Sequence, residues 1–484
     1  MITDIKNLNG LMNIKSISGF LLIQRNDSLN DFIGIKNLQY INDNLTIEGN
    51  SNIRNLNGLG SLSFVQGKIS ISLNSSLENL SGLNLGNKTN SSITVFSNRS
   101  LTSLQALIKL DSIMGDLSIR NNINLENLSG LDNLLYVDKS ISLSYLQSLE
   151  GLGMLTSIGL DFSIYDNKLS ELTGLNSLKS IGRDFDIKLN NLENLSGLLA
   201  LEYIGRDLYF WNNDSLKSLN GLDSLTTIVG ELYITESPSL VNLKGLGELS
   251  SISEISIYDC TKLQNLEGLD KLTNANAIRL FYNDKLYDLS GLISLKKLGS
   301  LLLYDNDELL SLTGLEELET LNRLDLVSNN SLYDISTLKE ITYEPNNEVE
   351  EEGIQIEYNT SLSNCAIESI CKFISYNTEG YLNIHANAFG CETVSQVMNS
   401  CADIVGYNSI QQTEISFYPN PAVDYIYLNS ENQDVKIYNV LGVLLFDVKN
   451  VKSYFDVSSL KKGVYILELS IGKNKQLEKI IIER

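Results

Sequence analysis

Residues 207–222 read DLYFWNNDSLKSLNGL, and this stretch contains every part of a unit that recurs along most of the chain. Leu208 and Phe210 alternate with two outward aromatic residues, which is the period of a half-buried β-strand. Asn213 then turns the chain, and Gly221 permits a tight corner before the next unit begins. The stretch therefore predicts one short strand followed by a sharp return.

The glycine of this corner recurs about every 23 or 24 residues. A fixed period in this range is typical of solenoids, in which stacked units share one continuous core. We expect the inward strand residues of all units to form a parallel sheet with one strand per coil. Those residues are Ile23, Ile47, Ile71, Val95, Ile119, Leu143, Ile164, Ile187, Phe210, Ile234, Ile257, Leu280, Leu303, Leu326 and Ile356.

A polar turn position lies three residues after each inward strand residue. An amide side chain there can donate and accept at once, and so satisfy backbone groups of its own coil and of the adjacent coil. Ser237 and Cys260 occupy the position in two coils and Leu146 in one, so we expect a local irregularity in the short coil of residues 130–151. The asparagines are Asn26, Asn50, Asn74, Asn98, Asn122, Asn167, Asn190, Asn213, Asn283, Asn306, Asn329 and Asn359.

These repeats resemble the leucine-rich and receptor-L-domain-like repeats of bacterial surface proteins over residues 1–362. The resemblance implies a mainly β, right-handed repeat solenoid with a parallel sheet. Because no clear helical segment follows the strands, a β-solenoid with several short strands per turn fits as well as a leucine-rich horseshoe.

The composition excludes several functions. A formal net charge of −23 and a pI near 4.5 disfavour nucleic acid and anionic membranes as partners. No stretch has the roughly 20 apolar residues of a transmembrane helix.

The first residues carry no secretory signal and match the second half of a coil. We therefore expect the natural chain to begin upstream, with a cap and a signal peptide.

Four cysteines follow the repeats, between residues 363 and 405, where we expect a disulfide-stapled cap. Four cysteines allow three pairings, of which we favour Cys365–Cys391 with Cys371–Cys401. Zinc is the competing interpretation, but no CxxC pair is present. Disulfides imply an extracytoplasmic location.

An acidic insertion at residues 344–352 is expected to be a solvated loop. Residues 406–413 are expected to form a linker.

Residues 414–484 show short alternating strands that predict a small β-sandwich. The segment resembles the C-terminal sorting domain of the type IX secretion system, with the motif residues Pro419, Asn420, Pro421, Gly442, Gly463, Tyr465 and Lys479. The resemblance implies export across the outer membrane, and the secretion machinery as a partner.

The sequence gives little sign of catalysis. His385 is the only histidine, and no phosphate-binding loop, zinc-protease motif or calcium loop is found, so we predict no enzyme activity, no cofactor and no metal. Paired carboxylates on a polysaccharide-active solenoid, or a structural spacer in a surface layer, are the alternatives.

Aromatic and acidic residues recur at outward strand positions and directly after them, and these rings are expected to point away from the core. Such a strip suits a protein partner or a sugar, although ring ladders can also serve only to stabilise a sheet. We therefore predict a secreted adhesion or recognition module. The candidate strip is Tyr165, Asp166, Tyr209, Trp211, Tyr233, Tyr258, Asp259, Phe281, Tyr304 and Asp305.

Overall fold

The structure is a computed structural model that describes residues 5–343, 353–376, 381–404, 417–428, 433–471 and 474–483. The fold is mainly β: a parallel β-solenoid of about 14 turns, disulfide pairs near the carboxyl end, and then antiparallel sheets. This confirms the predicted fold class. The predicted acidic loop and the predicted linker lie outside the described residues. The chain divides into two compact units, Met1–Ala275 and Asn276–Arg484.

The first unit contains a long parallel sheet with one strand per coil. Neighbouring strands pair in register, so that Ile187 lies beside Phe210 and Phe210 beside Ile234. The inward residues are fully buried, and the rings of Phe162 and Phe185 stack at 5.0 Å. The strands are Leu21–Gln24, Leu45–Glu48, Ile69–Ser72, Ile93–Phe96, Leu117–Arg120, Ile141–Ser144, Phe162–Tyr165, Phe185–Lys188, Leu208–Trp211, Glu231–Thr235 and Glu254–Tyr258.

A second set of strands, each of two residues, precedes those of the long sheet. It forms a three-stranded sheet of Ser16–Ile17, Tyr40–Ile41 and Phe64–Val65. It also forms a seven-stranded sheet of Lys88–Thr89, Ser112–Ile113, Tyr136–Val137, Ser157–Ile158, Ser180–Ile181, Tyr203–Ile204 and Thr227–Ile228. The helical elements of the described repeats are three-residue 3-10 turns, at Asn9–Leu11, Ile33–Ile35, Gln105–Leu107 and Ser336–Leu338. The architecture therefore matches the β-solenoid alternative.

The turn asparagines form a buried ladder between coils. The backbone N–H of Asn50 donates to Asn74 Oδ1 at 2.9 Å, and Asn74 Nδ2 donates to the carbonyl of Ile47 at 3.0 Å. Each such side chain thus satisfies a donor and an acceptor of the preceding coil. At Leu146 the ladder is interrupted: its N–H still donates to Asn167 Oδ1 at 2.9 Å, but its side chain has no oxygen to accept from the coil before.

The corner glycines lie against the backbone of the preceding coil. Gly245 has a φ of +111°, and a Cβ there would lie 2.0 Å from the carbonyl oxygen of Leu219. Gly247, two residues later, has nothing within 4 Å of the same position. The spacing of these glycines is therefore set by a close approach of backbones that excludes a side chain.

The solenoid strands after Glu254–Tyr258 follow the same rules, and all of their residues except Asn274 and Ala275 lie in the second unit. They are Asn274–Phe281, Lys297–Tyr304, Thr320–Val327, Gly353–Glu357 and Tyr381–His385, with the short strand Thr342–Tyr343 beside Thr320–Val327. The sheet thus continues past Leu362 into the segment predicted as a cap. The ladder continues too, since the N–H of Asn359 donates to Asn387 Oδ1 at 2.9 Å.

Two helices close this end of the solenoid. They are α1, Glu368–Tyr376, and α2, Val394–Ile404. The disulfides are Cys365–Cys391 and Cys371–Cys401, the pairing favoured from the sequence, and each has a Cα separation of 5.3 Å. Cys260 belongs to neither disulfide, and its buried thiol lies at the ladder position, as expected, where it donates to the carbonyl of Tyr258 at 3.6 Å.

Two antiparallel sheets follow and share one core, which includes Ile426, Val435, Leu467 and Ile480. One sheet contains Phe417–Tyr418, Tyr425–Leu428 and Tyr454–Asp456; the other contains Leu444–Val451, Gln433–Asn439, Gly463–Ile471 and Asn474–Ile482. Among the described residues, no helix combines the length and the apolar character needed to cross a bilayer.

The corner geometry makes a direct prediction. Gly245→Ala should lower the free energy of unfolding by about 2–4 kcal/mol, because the new methyl group meets the Leu219 carbonyl on a strained backbone. Gly247→Ala, where the space is open, should be close to neutral. Urea denaturation followed by circular dichroism measures both; equal stability of the two variants would contradict the proposed backbone contact.

The ladder makes a second prediction. Asn74→Ala should cost about 3 kcal/mol of stability, because it leaves the Asn50 N–H and the Ile47 carbonyl unpaired in the interior. Asn74→Ser should cost less, since Ser237 fills the equivalent position in another coil. The same denaturation experiment applies, and an alanine variant as stable as the serine variant would show that these hydrogen bonds do not stabilise the stack.

Candidate functional site

The outward residues of the first unit form two parallel rows on one face of the long sheet, which we call the outer face. The first row begins with the exposed Leu22, continues with small hydroxyls and ends with larger and more polar residues: Leu22, Thr46, Ser70, Thr94, Ser118, Ser142, Ser163, Asp186, Tyr209, Tyr233 and Ser256. The second row has larger and more varied side chains: Gln24, Glu48, Ser72, Phe96, Arg120, Ser144, Tyr165, Lys188, Trp211, Thr235 and Tyr258.

Four of the predicted residues come together on this face, and we call Tyr209, Trp211, Tyr233 and Tyr258 the ring cluster. The rings of Tyr209 and Tyr233 lie 5.9 Å apart, and those of Tyr233 and Tyr258 lie 5.4 Å apart. The three tyrosines are half-buried, whereas Trp211 is 43% exposed. None lies in the core. The cluster is thus a row of three tyrosine rings in tilted contact, with an exposed indole on the same face.

Burial and neighbouring charged groups change the pKa of the Tyr209 hydroxyl, at one end of the ring cluster. Tyr209 Oη donates to Asp207 Oδ2 at 2.9 Å, and burial together with this carboxylate raises the pKa of Tyr209. Lys188 Nζ lies 5.9 Å from the Tyr209 ring centre and 3.0 Å from Asp186 Oδ1. Burial also raises the pKa of Tyr233. Both phenols therefore remain protonated hydroxyl groups at neutral pH.

Tyr165 lies apart from the ring cluster, because the strand that carries Lys188 separates it from Trp211. Its hydroxyl accepts a hydrogen bond from Arg120 Nη1 at 3.4 Å, which passes over the intervening strand. The Arg120 guanidinium also lies 5.8 Å from the ring centre of Phe96. Tyr165 therefore belongs to a separate group, in which the Arg120 guanidinium contacts the Tyr165 hydroxyl and the Phe96 ring.

The predicted acids occupy a position with special backbone geometry. Asp166 and Asp259 both have a φ of +52°, and the equivalent residues Asn121 and Leu189 are left-handed too. Aspartate and asparagine tolerate this conformation better than most residues, so the backbone accounts for part of the acidic pattern. A hydrogen bond to Asp166 raises the pKa of Tyr145. Within the described residues, the exposed Asp259 carboxylate makes no hydrogen bond.

The remaining predicted residues lie in the second unit. The rings of Phe281 and Tyr304 lie 4.7 Å apart, and Tyr304 Oη donates to Asp325 Oδ2 at 2.9 Å. Asp305 has a φ of +52°. Burial and the nearby Asp307 raise the pKa of Asp305. Tyr304 is therefore fixed by a buried carboxylate that the sequence did not single out.

Two buried carboxylates lie on the outward side of the last solenoid strands. Arg323 donates to Asp325 from Nη2 at 2.8 Å and from Nε at 3.1 Å, and the Asp325 side chain is 1% exposed. Asn383 donates to Glu357, and His385 Nδ1 lies 3.6 Å from Glu357 Oε1. Burial raises the pKa of Glu357 and lowers that of His385. Both carboxylates are thus held by neighbouring side chains.

No group of histidine, cysteine, aspartate and glutamate side chains suited to a metal ion occurs in the described part of the chain.

A shallow depression of about 390 Å³ lies at the short coil, where Asp132 and Glu150 are among its lining residues. Asp132 Oδ2 accepts the N–H of Gly130 at 2.7 Å, so one of these acids supports a glycine corner.

Among the predicted motif residues near the carboxyl end, Asn420 links the two antiparallel sheets, and Gly442 and Tyr465 support local turns. Asn420 Nδ2 donates to the carbonyl of Lys479 at 2.8 Å, and Asn420 Oδ1 accepts the N–H of Ile481 at 2.8 Å. Gly442 turns a hairpin with a φ of +78°, and Tyr465 Oη donates to the carbonyl of Lys461 at 2.8 Å. The peptide bonds before Pro419 and Pro421 are cis.

Residues 416–483 match the family model of the secretion system C-terminal sorting domain. The match supports the resemblance stated from the motif residues, and it implies export to the cell surface or to the extracellular space. It also implies an interaction with the type IX secretion machinery.

The chain is also similar to a curated protein, "Beta-agarase D" of Zobellia galactanivorans, with 34% identity over 74 residues. That match covers 15% of this chain and 16% of the agarase. Its length is close to that of the sorting domain. It therefore spans only a small part of either protein.

Proposed function

We propose that the protein is a secreted, cell-surface recognition module without catalytic activity, and that it binds a protein or a glycan on the outer face. The observation that carries this proposal is the exposed indole of Trp211 on the same face as three tyrosines whose rings contact one another, on strands that pair in register. Aromatic groups that remain exposed on a soluble surface are typical of binding sites. The leucine-rich likeness of the repeats and a role in adhesion are part of the same proposal.

The chemistry of the ring cluster suits either class of ligand. Aromatic faces stack on sugar rings, while the hydroxyls of Tyr209 and Tyr233 and the open carboxylate of Asp259 can hydrogen-bond sugar hydroxyls. Tyrosine and tryptophan are equally frequent as the central residues of protein interfaces. The partial likeness to a protein named as an agarase supports polysaccharides as the first ligands to test.

A pair of alanine variants tests the proposal. Trp211→Ala and Tyr258→Ala should each weaken binding at least about fivefold, because each removes an aromatic contact worth about 1 kcal/mol or more. Tyr203→Ala is the matched control: it removes an exposed ring of the same coil that lies on the short-stranded sheet. A glycan array, followed by affinity electrophoresis in agarose, measures retention, and a panel of immobilised surface proteins covers the protein class.

Unchanged retention of every bound ligand by both variants would overturn the assignment of the site to the ring cluster. Equal losses in Tyr203→Ala would show that the effect is not specific to the outer face.

A polysaccharide-active enzyme is the second candidate, favoured by Asp325 and Glu357, the two buried carboxylates near each other. Release of reducing ends from a polysaccharide, abolished by Glu357→Gln, would establish it in place of the binding module. A structural spacer is the third candidate function. If the protein is a spacer, neither a glycan nor a protein should be retained.

A further inference from the structure

The first antiparallel sheet of the sorting domain contacts the end of the solenoid. The Tyr427 ring lies 5.4 Å from the His385 ring, and His385 in turn lies 5.1 Å from Tyr358. Within the sorting domain, Tyr427 stacks on Tyr418 at 5.6 Å and lies 6.2 Å from Tyr454. A continuous series of ring contacts therefore connects the last solenoid strands to the sorting domain.

A hydrogen bond accompanies the ring contacts. Ser395, in the first turn of α2, donates from Oγ to the carbonyl of Leu428 at 3.1 Å. The Tyr427 side chain is half-buried, and burial followed by the charge of Glu357 raises its pKa. The interface thus combines a tilted ring contact, one hydrogen bond and a nearby buried carboxylate.

The strand that supplies Tyr427 explains why this surface is apolar. Ile426 and Leu428 point into the core of the sorting domain, so Tyr427 must point outward by the two-residue period of a strand. Tyr418 and Tyr454 lie beside it on the paired strands. Without the solenoid, these three tyrosines would form an exposed aromatic patch, which soluble domains rarely leave open.

We propose that the sorting domain docks on the end of the solenoid through Tyr427 and His385, and that this contact holds the domain even when the chain between them is cut. The chain itself supplies both surfaces, so the occupant of each is known. Release of the sorting domain is then a separate step from cleavage of the connecting segment. While the domain is docked, Tyr418 and Tyr427 are partly covered, whereas Tyr454 stays 56% exposed.

The test uses the full chain with a specific protease site inserted within residues 406–413. After cleavage, the two fragments should elute together in size-exclusion chromatography at micromolar concentration. His385→Ala and Tyr427→Ala should each raise the dissociation constant of the cleaved pair about tenfold, since each removes an aromatic pair. Tyr427→Phe should keep the pair together, because the ring remains.

The variants are chosen to separate docking from misfolding. His385→Ala changes only the solenoid side, so a folding defect of the sorting domain cannot explain its effect. Tyr333→Ala removes an exposed tyrosine elsewhere on the solenoid of the same unit and should leave the dissociation constant unchanged. Separation of the wild-type fragments on cleavage would overturn the proposal. So would a cleaved Tyr427→Ala protein that stays together as tightly as the wild type.

Discussion

In each regular coil, a buried asparagine accepts the backbone N–H of the coil before it and donates to a carbonyl of that same coil. Asn74 makes both contacts, to Asn50 and Ile47, and Asn98 makes the same contacts to Asn74 and Ile71. Because each side chain can reach only one register of its neighbour, the ladder fixes how the strands align. The apolar columns and the outward rows both depend on that alignment.

The outer face follows from this register. Strand residues alternate between the core and the surface, so one shift of register would carry Tyr209 and Trp211 to the wrong side. A left-handed residue follows most of these strands at the edge of the face, and at Asp259 its side chain is exposed. A constant frame thus presents variable side chains at constant spacing, which is an arrangement suited to recognition.

Much of this could be predicted from the sequence, because the period of 23 or 24 residues and the turn asparagines are local signals. The interruption at Leu146 was also visible there, whereas the four cysteines left three pairings open, of which the favoured one is the one found. The membership of Tyr381–His385 in the solenoid sheet was missed, because the four cysteines around it pointed to a separate cap. Two-residue strands carry too little pattern to be located individually. The contact of Tyr427 with His385 depends on docking between distant segments, which no local pattern encodes.

The central claim is that the register of the coils keeps the ring cluster on the surface, and Trp211 can report on it directly because it is the only tryptophan. Fluorescence of the folded protein, with acrylamide as a quencher, measures the accessibility of this one indole. The account predicts emission near that of a solvated indole and efficient quenching. Blue-shifted emission that acrylamide barely quenches would place Trp211 in the interior and contradict the account.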